Sequence, residues 1–378
     1  MDILFIHSCP LWPISGENIR PLYILDLLAK QGHNIDLVAP ESKITFPKEI
    51  RFFPSGKIER FVTKKTFLNT REIQHLIFGL KSLRLFKKLK NKYDLVYCFG
   101  IAGSLLANKF SRRCPIFVDY YEVDFPELRD PRNLIIKTIL KFAEIWNRFF
   151  LRKAYRVFVL TKAIKTFLRE RYNLDSIVVY DGADEQLFNQ KIKKKHAGFN
   201  LIFHGGIEKR DNLLIVLKAL KQLKEYNFKF IIIGDGLAKR ECESFAAKYL
   251  RNKVLFTGWV EYRKIPSYLS KADLALMPRK NIRINNMVIP RKTFEYINSG
   301  VPILTTDLPV IREVLSPADS VLIKKPEVKE IKNALRFYFN NKKLLKEKSK
   351  KLMKKKVTLQ SECKKIYTEI ENIKKFKQ

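Results

Sequence analysis

The segment Ile289 to Thr305 (IPRKTFEYINSGVPILT) places two cations and one carboxylate on the opening turns of a short helix. Pro290 suits the start of that helix and Gly300 its end. Arg291 and Lys292 then lie at the end where the helix dipole disfavours cations. Unpaired backbone N–H groups beside two cations make an anion site. Glu295 follows one turn later, where a carboxylate can accept hydrogen bonds from sugar hydroxyls. A phosphate at the helix mouth with hydroxyls beside it suggests a nucleotide-sugar.

Two further loops carry related chemistry. His204, Gly205 and Gly206 follow an apolar run and precede Glu208, Lys209 and Arg210. Glycines there allow a phosphate close to the backbone, and either cation can neutralise it. The same residues also fit an ordinary tight turn. Gly234-Asp235-Gly236 ends the run Ile231–Ile233 and opens another helix, a pattern that generic turns share. Trp259 and Tyr262 either flank a base or pack locally.

The elements that position these loops alternate. Apolar runs at Ile3–Ile6, Asn34–Ala39, Asp94–Phe99, Ile116–Asp119, Tyr155–Thr161 and Val178–Tyr180 are separated by helical spacings such as Ile19–Lys30. A second series runs through Leu201–His204, Lys229–Ile233, Val254–Thr257, Asp273–Met277 and Pro302–Thr305, with Ser320–Ile323 as a sixth strand. Such alternation predicts doubly wound parallel sheets. It divides the chain into residues 1–188, a Lys-rich linker at 189–199, a second domain at 200–345 and basic helices at 346–378, the last expected to pack back on the first domain. Ligands in such sheets bind at the strand C-termini.

Composition bounds the partners. Lys+Arg number 74 against 38 Asp+Glu, a formal charge of +36. That balance points to an anionic partner: nucleic acid, a membrane surface or phosphorylated substrates. Lys enrichment from an AT-rich genome or heat adaptation is the alternative. Five scattered cysteines show no zinc or redox spacing and fit a reducing cytoplasm. No uncharged run approaches the roughly 18 residues that span a bilayer. Basic residues without aromatic interleaving make nucleic acid an unfavoured partner.

Taken in order, the motifs GG…KR, IIIGDG, VLFTGWV, KADLALMP and PRKTFEYINSGVPILT resemble the C-terminal half of family 4 glycosyltransferases. LLAKQGHNIDLVAP and VVYDGADEQLF resemble N-terminal segments of the same family, with Asp181 in place of an Asn. The resemblance covers nearly the whole chain and is weakest at residues 40–92 and after 325. It implies the α/β GT-B fold, two Rossmann-like doubly wound domains facing across a cleft. It implies a nucleotide-diphosphate sugar on the C-terminal domain, an acceptor (lipid-linked or glycan) on the N-terminal domain, and transfer with retention. No cofactor or metal is expected, since Lys and Arg neutralise the diphosphate and there is no Asp-x-Asp motif.

Residue by residue, Glu295 matches the second Glu of the family's Glu-x7-Glu pattern, while the first falls at Met287. Lys209, Arg210 and Lys292 are the candidates for the diphosphate. Gly205, Gly206, Gly234, Asp235, Gly236, Pro290 and Arg291 are the candidates for donor binding. Gly16 lies on the first loop, where relatives approach the phosphates, with Arg20 to assist. Near Asp119 and Glu122, on the acceptor side, the place of a family His is taken by Tyr121. Alternatives are a non-catalytic GT-B protein that binds a polyanion, or another GT-B enzyme such as a nucleotide-sugar 2-epimerase.

Residues 71–90 can form a helix with Ile73, Leu76, Ile77, Leu80 and Leu83 on one face and Arg84, Lys87, Lys88 and Lys90 at its end. It either lies on an anionic membrane or covers the sheet with a solvated basic face. Residues 134–151 are more uniformly apolar and are expected to pack under the sheet. The expected location is cytoplasmic, peripheral on the inner face of the cell membrane.

Overall fold

A computed structural model describes residues 1–11, 16–56, 71–90, 92–121, 134–189 and 198–377. The chain forms two compact units, Met1–Tyr180 with Cys363–Gln378, and Asp181–Glu362.

The first unit holds a seven-stranded parallel sheet: β1 (Asp2–His7), β2 (Asn34–Ala39), β3 (Ile50–Pro54), β4 (Leu95–Phe99), β5 (Ile116–Tyr120), β6 (Arg156–Val159) and β7 (Ile177–Val178), in the order β3-β2-β1-β4-β5-β6-β7. Ile3 to Ile6, Leu95 to Cys98 and Ile116 to Val118 are all buried. Runs covered on both faces show no alternation, which is why they read as continuous apolar strands. β3 has no counterpart in the sequence-based expectation. It is an edge strand whose residues are mostly part-exposed, so it lacks that apolar run. Arg51 fixes its register on β2, its Nε and Nη2 donating to Asp36 at 3.0 and 2.7 Å.

The second unit has a six-stranded parallel sheet: β8 (Phe199–His204), β9 (Phe228–Ile233), β10 (Val254–Gly258), β11 (Leu274–Met277), β12 (Ile303–Thr306) and β13 (Val321–Ile323), ordered β10-β9-β8-β11-β12-β13. Its core gathers Leu201, Phe203, Leu217, Phe230, Ile232, Leu274, Leu276 and Leu304. The strand order reverses between β8 and β11, as it does between β1 and β4 in the first unit. Crevices form at such switch points, beyond the strand C-termini.

Two expectations about helices change. The helix Leu134–Leu151 does not bury its whole circumference. Phe150 and Leu151 are buried and Trp146 Nε1 donates to Ser104 Oγ at 2.7 Å, while Phe142, Ile145 and Phe149 face solvent. The helix Arg71–Leu83 buries Phe78, Gly79 and Ser82; of the expected stripe, Ile77 and Leu83 are half-buried and Leu80 is exposed. A Cβ on Gly79 would stand 3.0 Å from Leu105 Cδ1 and 3.1 Å from Ala102 O, so glycine eases the close approach there. The chain turns after Leu83, and Lys90 is engaged by Asp2 at 2.8 Å rather than standing on the helix end. Side chains of residues 71–76 and the linker stretch 190–197 lie outside the described residues. No described helix is long and apolar enough to cross a membrane.

Candidate functional site

The site builds up where β8, β9 and β11 end and a helix enters β12. That helix spans Arg291–Asn298 with Pro290 as its N-cap. It ends as the sequence suggests. Gly300 adopts φ +64°, the N–H of Val301 bonds to Tyr296 O at 2.9 Å, and that of Gly300 to Ile297 O at 3.0 Å. These two bonds form a Schellman closure, which a β-carbon at the left-handed position would strain.

The cations at its first turn face carboxylates from other elements and from the helix itself. Arg291 lies 3.8 Å from Asp181 Oδ1 and 3.6 Å from Glu295 Oε1. Lys292 Nζ is 3.6 Å from Asp211 Oδ1 and 3.9 Å from the Phe203 ring centroid. The unfavourable dipole position is thus offset within the protein. Burial pushes the Lys292 ammonium below its ordinary range, with Asp211 opposing and Arg279 and Arg210 adding to the shift. An arriving phosphate would supply the missing negative charge.

Glu295, expected from the sequence as a hydroxyl acceptor, is enclosed by protein groups. Its side chain is 4 % exposed, with Tyr262 Oη donating to Oε1 at 3.0 Å and His204 Nε2 lying 3.3 Å from Oε2. Burial raises its pKa, and Arg291 and Tyr262 partly restrain the rise. The His204 contact is not an ion pair, because burial lowers the imidazole pKa from 6.5 to about 3, with Lys292 adding to the effect. The neutral ring packs edge-on against Tyr296 at 4.8 Å, and Tyr296 Oη accepts the His204 backbone N–H at 3.1 Å.

A depressed histidine pKa carries a stability consequence. The folded value lies below the unfolded one, so stability present above pH 6.5 is lost as pH falls toward about 3. His204 should therefore cost on the order of 3 kcal/mol at pH 4 relative to neutral pH. Urea midpoints at the two pH values should converge in His204→Gln relative to wild type. An equal acid loss in both proteins would contradict this assignment.

The glycines divide by role. A Cβ on Gly234 would stand 2.1 Å from Gly205 O, and one on Gly236 would stand 2.5 Å from Ile207 O. Their positive φ angles, +128° and +156°, serve the contact between the loops after β8 and β9. These donor-binding candidates thus also set the packing of the two loops, in keeping with their reading as a turn. Asp235 belongs to the same contact: its carbonyl accepts Ile207 N–H at 2.9 Å, and its carboxylate accepts Gly236 N–H at 2.8 Å and Lys239 Nζ at 3.2 Å. The bond from Gly236, with Lys239, holds the Asp235 pKa below the usual carboxylate value. Gly205, at φ +108°, instead opens toward Lys292 Nζ, which a Cβ would approach to 3.5 Å. Gly206, Lys209 and Arg210 are exposed at this rim, and Arg210 is close enough to depress both Lys292 and Arg279.

Three participants escaped the sequence reading. Arg279, just past β11, is buried, donates to Val288 O at 2.9 Å, and has its pKa lowered to about 10 by burial while Asp211 opposes. Asp211 faces Lys292, and the His204 ring faces Glu295. Their common signal is that they lie at the C-terminal ends of β8 and β11 or on the loop that follows β8, the strands that flank the switch point. Tyr262 packs on Phe188 at 5.5 Å, as local packing predicts, yet also reaches Glu295. Trp259 is exposed.

The candidates in the first unit form a separate constellation. Arg20 is fully buried. Its Nη2 donates to Asp119 Oδ1 at 2.8 Å and its Nη1 to Val179 O at 2.9 Å, and Tyr97 Oη donates to Asp119 Oδ2 at 2.9 Å. Asp119 and Arg20 thus bind helix, β4, β5 and the end of β7 together, rather than facing acceptor and phosphate. Gly16 begins the helix Gly16–Lys30, Tyr121 packs on Phe99 at 4.9 Å, and Glu122 lies outside the described residues. No group of three metal-ligating side chains occurs among the described residues.

Two family models tile the chain: Glycosyltransferase Family 4 matches residues 16–187 and Glycosyl transferases group 1 matches residues 184–356. The putative teichuronic acid biosynthesis glycosyltransferase TuaH of Bacillus subtilis is 27 % identical over 36 % of this chain and 33 % of its own. An uncharacterized glycosyltransferase of Methanocaldococcus jannaschii is 24 % identical over 72 % and 77 %. The chitobiosyldiphosphodolichol beta-mannosyltransferase of Candida albicans is 22 % identical over 64 % and 58 %. The matched stretches thus span from a third to about three quarters of these relatives' lengths. Among solved structures, sucrose-phosphate synthase from Thermosynechococcus elongatus aligns with TM-score 0.77 at 13 % identity over 98 % of both chains. Anabaena HepE in complex with UDP and glucose aligns with TM-score 0.72 at 16 % identity, covering 98 % of this chain and 99 % of its own. With its two all-parallel sheets, the fold is GT-B. The chain belongs to the group 1, family 4 glycosyltransferases.

Proposed function

We propose that the second unit binds a nucleoside-diphosphate sugar and that the chain transfers the sugar, with retention, to a glycan or lipid-linked glycan. The observation that carries this reading is Lys292. It is a buried cation at a helix N-terminus, next to Gly205, with its pKa depressed and an exposed rim of Gly206, Lys209 and Arg210 outside it. A diphosphate satisfies that arrangement because it brings charge to N–H groups and cations already in place. HepE's complexes with UDP and with UDP-glucose support the donor class, and the name of the Candida relative supports a lipid-linked acceptor.

In this reading Lys292 and Arg210 hold the diphosphate, with Lys209 at the rim. Glu295, fixed by Tyr262, Arg291 and His204, sets the nucleotide end. The C1–oxygen bond to the β-phosphate breaks, and its electron pair stays on the phosphate oxygen. The acceptor hydroxyl bonds to C1 on the same face, and its proton passes to the departing diphosphate. Cations and helix N–H groups stabilise the leaving charge, so we propose that no divalent metal is required.

A thermal-shift panel of nucleotide-sugars, with and without chelator, tests the reading. At least one donor should raise the wild-type Tm, and a donor at 100 times its Kd corresponds to about 2.7 kcal/mol. Glu295→Ala should lose that shift. If no nucleotide-sugar stabilises the wild type, or Glu295→Ala responds equally, the donor-site reading fails. Anomer-resolved NMR of the product decides retention.

A further inference from the structure

The exposed side of the helix Leu134–Leu151 belongs to none of the chemistry above. Phe142, Ile145 and Phe149 are 70, 60 and 46 % exposed and lie three and four residues apart, on one face. Among the described side chains of this segment, the exposed charged ones are Lys141, Arg148, Arg152 and Lys153, all cationic. Glu144, the acid of this helix, is turned aside to Arg171 at 2.8 Å. Lys153 Nζ sits 4.1 Å from the Phe149 ring centroid and Trp146 packs 5.5 Å from the same ring, so apolar and cationic groups form one surface. The opposite side is anchored by Phe150, Leu151 and the Trp146–Ser104 bond, which fixes the stripe outward.

We propose that this face is a docking surface for an anionic lipid bilayer, with Phe142, Ile145 and Phe149 entering the interface and the flanking cations meeting the headgroups. Such a helix lies in the membrane plane with its apolar side immersed. Charge selects the occupant. A second copy of this chain would bring the same cations against each other, on a protein of formal charge +36. An anionic surface meets them with opposite charge, each nearby Lys or Arg being worth about fivefold in partition. The helix Arg71–Leu83 seats on the same segment, Gly79 against Ala102 and Leu105, and leaves Leu80 exposed ahead of exposed Arg84, Lys87 and Lys88. This surface lies in the first unit and does not rest on the donor-site reading.

Co-flotation of the full chain with phosphatidylcholine vesicles, with and without about one third phosphatidylglycerol, tests the proposal. Wild type should float with the anionic vesicles, with binding that falls as salt rises, and stay behind with the neutral ones. F142S/I145S/F149S should lose at least tenfold in partition with an unchanged Tm. K141Q/R148Q, which keeps the apolar stripe, should lose about 25-fold, from about fivefold per cation. Equal flotation of wild type and both variants would overturn the proposal. So would equal partition into neutral vesicles. A wild-type dimer in analytical ultracentrifugation that the triple serine variant dissociates would also overturn it, assigning the face to self-association.

Discussion

Lys292→Met should lower kcat/KM for sugar transfer by two to three orders of magnitude, and should do so without unfolding the second unit. The expected loss follows from removing one preorganised charge aimed at a leaving group, about 3–4 kcal/mol of transition-state stabilisation. The side chain is 11 % exposed and Nζ lies beside Asp211. Its depressed pKa shows that the free protein holds the charge at a cost. Methionine keeps the volume over Phe203, and Arg279 still faces Asp211, so no carboxylate is stranded. The pH dependence has a definite sign. Binding a diphosphate raises the Lys292 pKa back, so binding takes up a proton at pH values between the depressed and the restored pKa. Donor affinity should then fall as pH rises through that range in wild type and be flatter in Lys292→Met. Steady-state kinetics and titration calorimetry in two buffers of different ionisation enthalpy measure both. A variant within threefold of wild type in kcat/KM would remove Lys292 from the leaving-group site.

Asp119→Ala should destabilise the first unit by about 3–5 kcal/mol, the cost of leaving a buried charge without its partner. Arg20 and Asp119 are both fully buried, and Asp119 also anchors Tyr97, whose phenol burial holds in its neutral form. The double change Arg20→Met with Asp119→Leu should recover much of the loss, because apolar replacement of both partners removes the desolvation burden as well. Hydrogen exchange of β4 and β5 amides reports the unit directly, which matters in a chain that need not unfold in one step. Protection unchanged in Asp119→Ala would show that the pair contributes little.

The fold was readable where burial is complete. Twelve of the thirteen described strands overlap apolar runs, and the exception, β3, is an edge strand whose part-exposed residues break the run. The helix at Arg291–Asn298 and its Gly300 closure were legible because capping chemistry is local in sequence. The site was legible in membership but not in posture. Lys292 and Arg291 stood out as cations at a helix start, yet nothing local shows that Asp211 and Asp181 would come to meet them. The enclosure of Glu295 was not legible because its partners, His204 and Tyr262, arrive from 91 and 33 residues away. Asp119 was misread for the same reason: Arg20 reaches it across 99 residues. Gly234 and Gly236 show a further limit, since glycine marks close approach without saying what approaches.

The division of the chain has a temporal consequence. The last helix, Leu359–Lys377, starts in the second unit, where Leu359 N–H bonds to Ala183 O at 2.8 Å, and its residues from Cys363 onward belong to the first. There Arg156 binds Glu369 at 2.6 Å, while Cys363, Ile366, Ile370 and Ile373 are buried. A ribosome delivers residues in order, and domains generally fold as they emerge. The second unit has all its residues once Glu362 is out, while the first, begun earlier, waits for the turns that follow. The half made first is therefore finished last, and until then Arg156 lacks its partner Glu369.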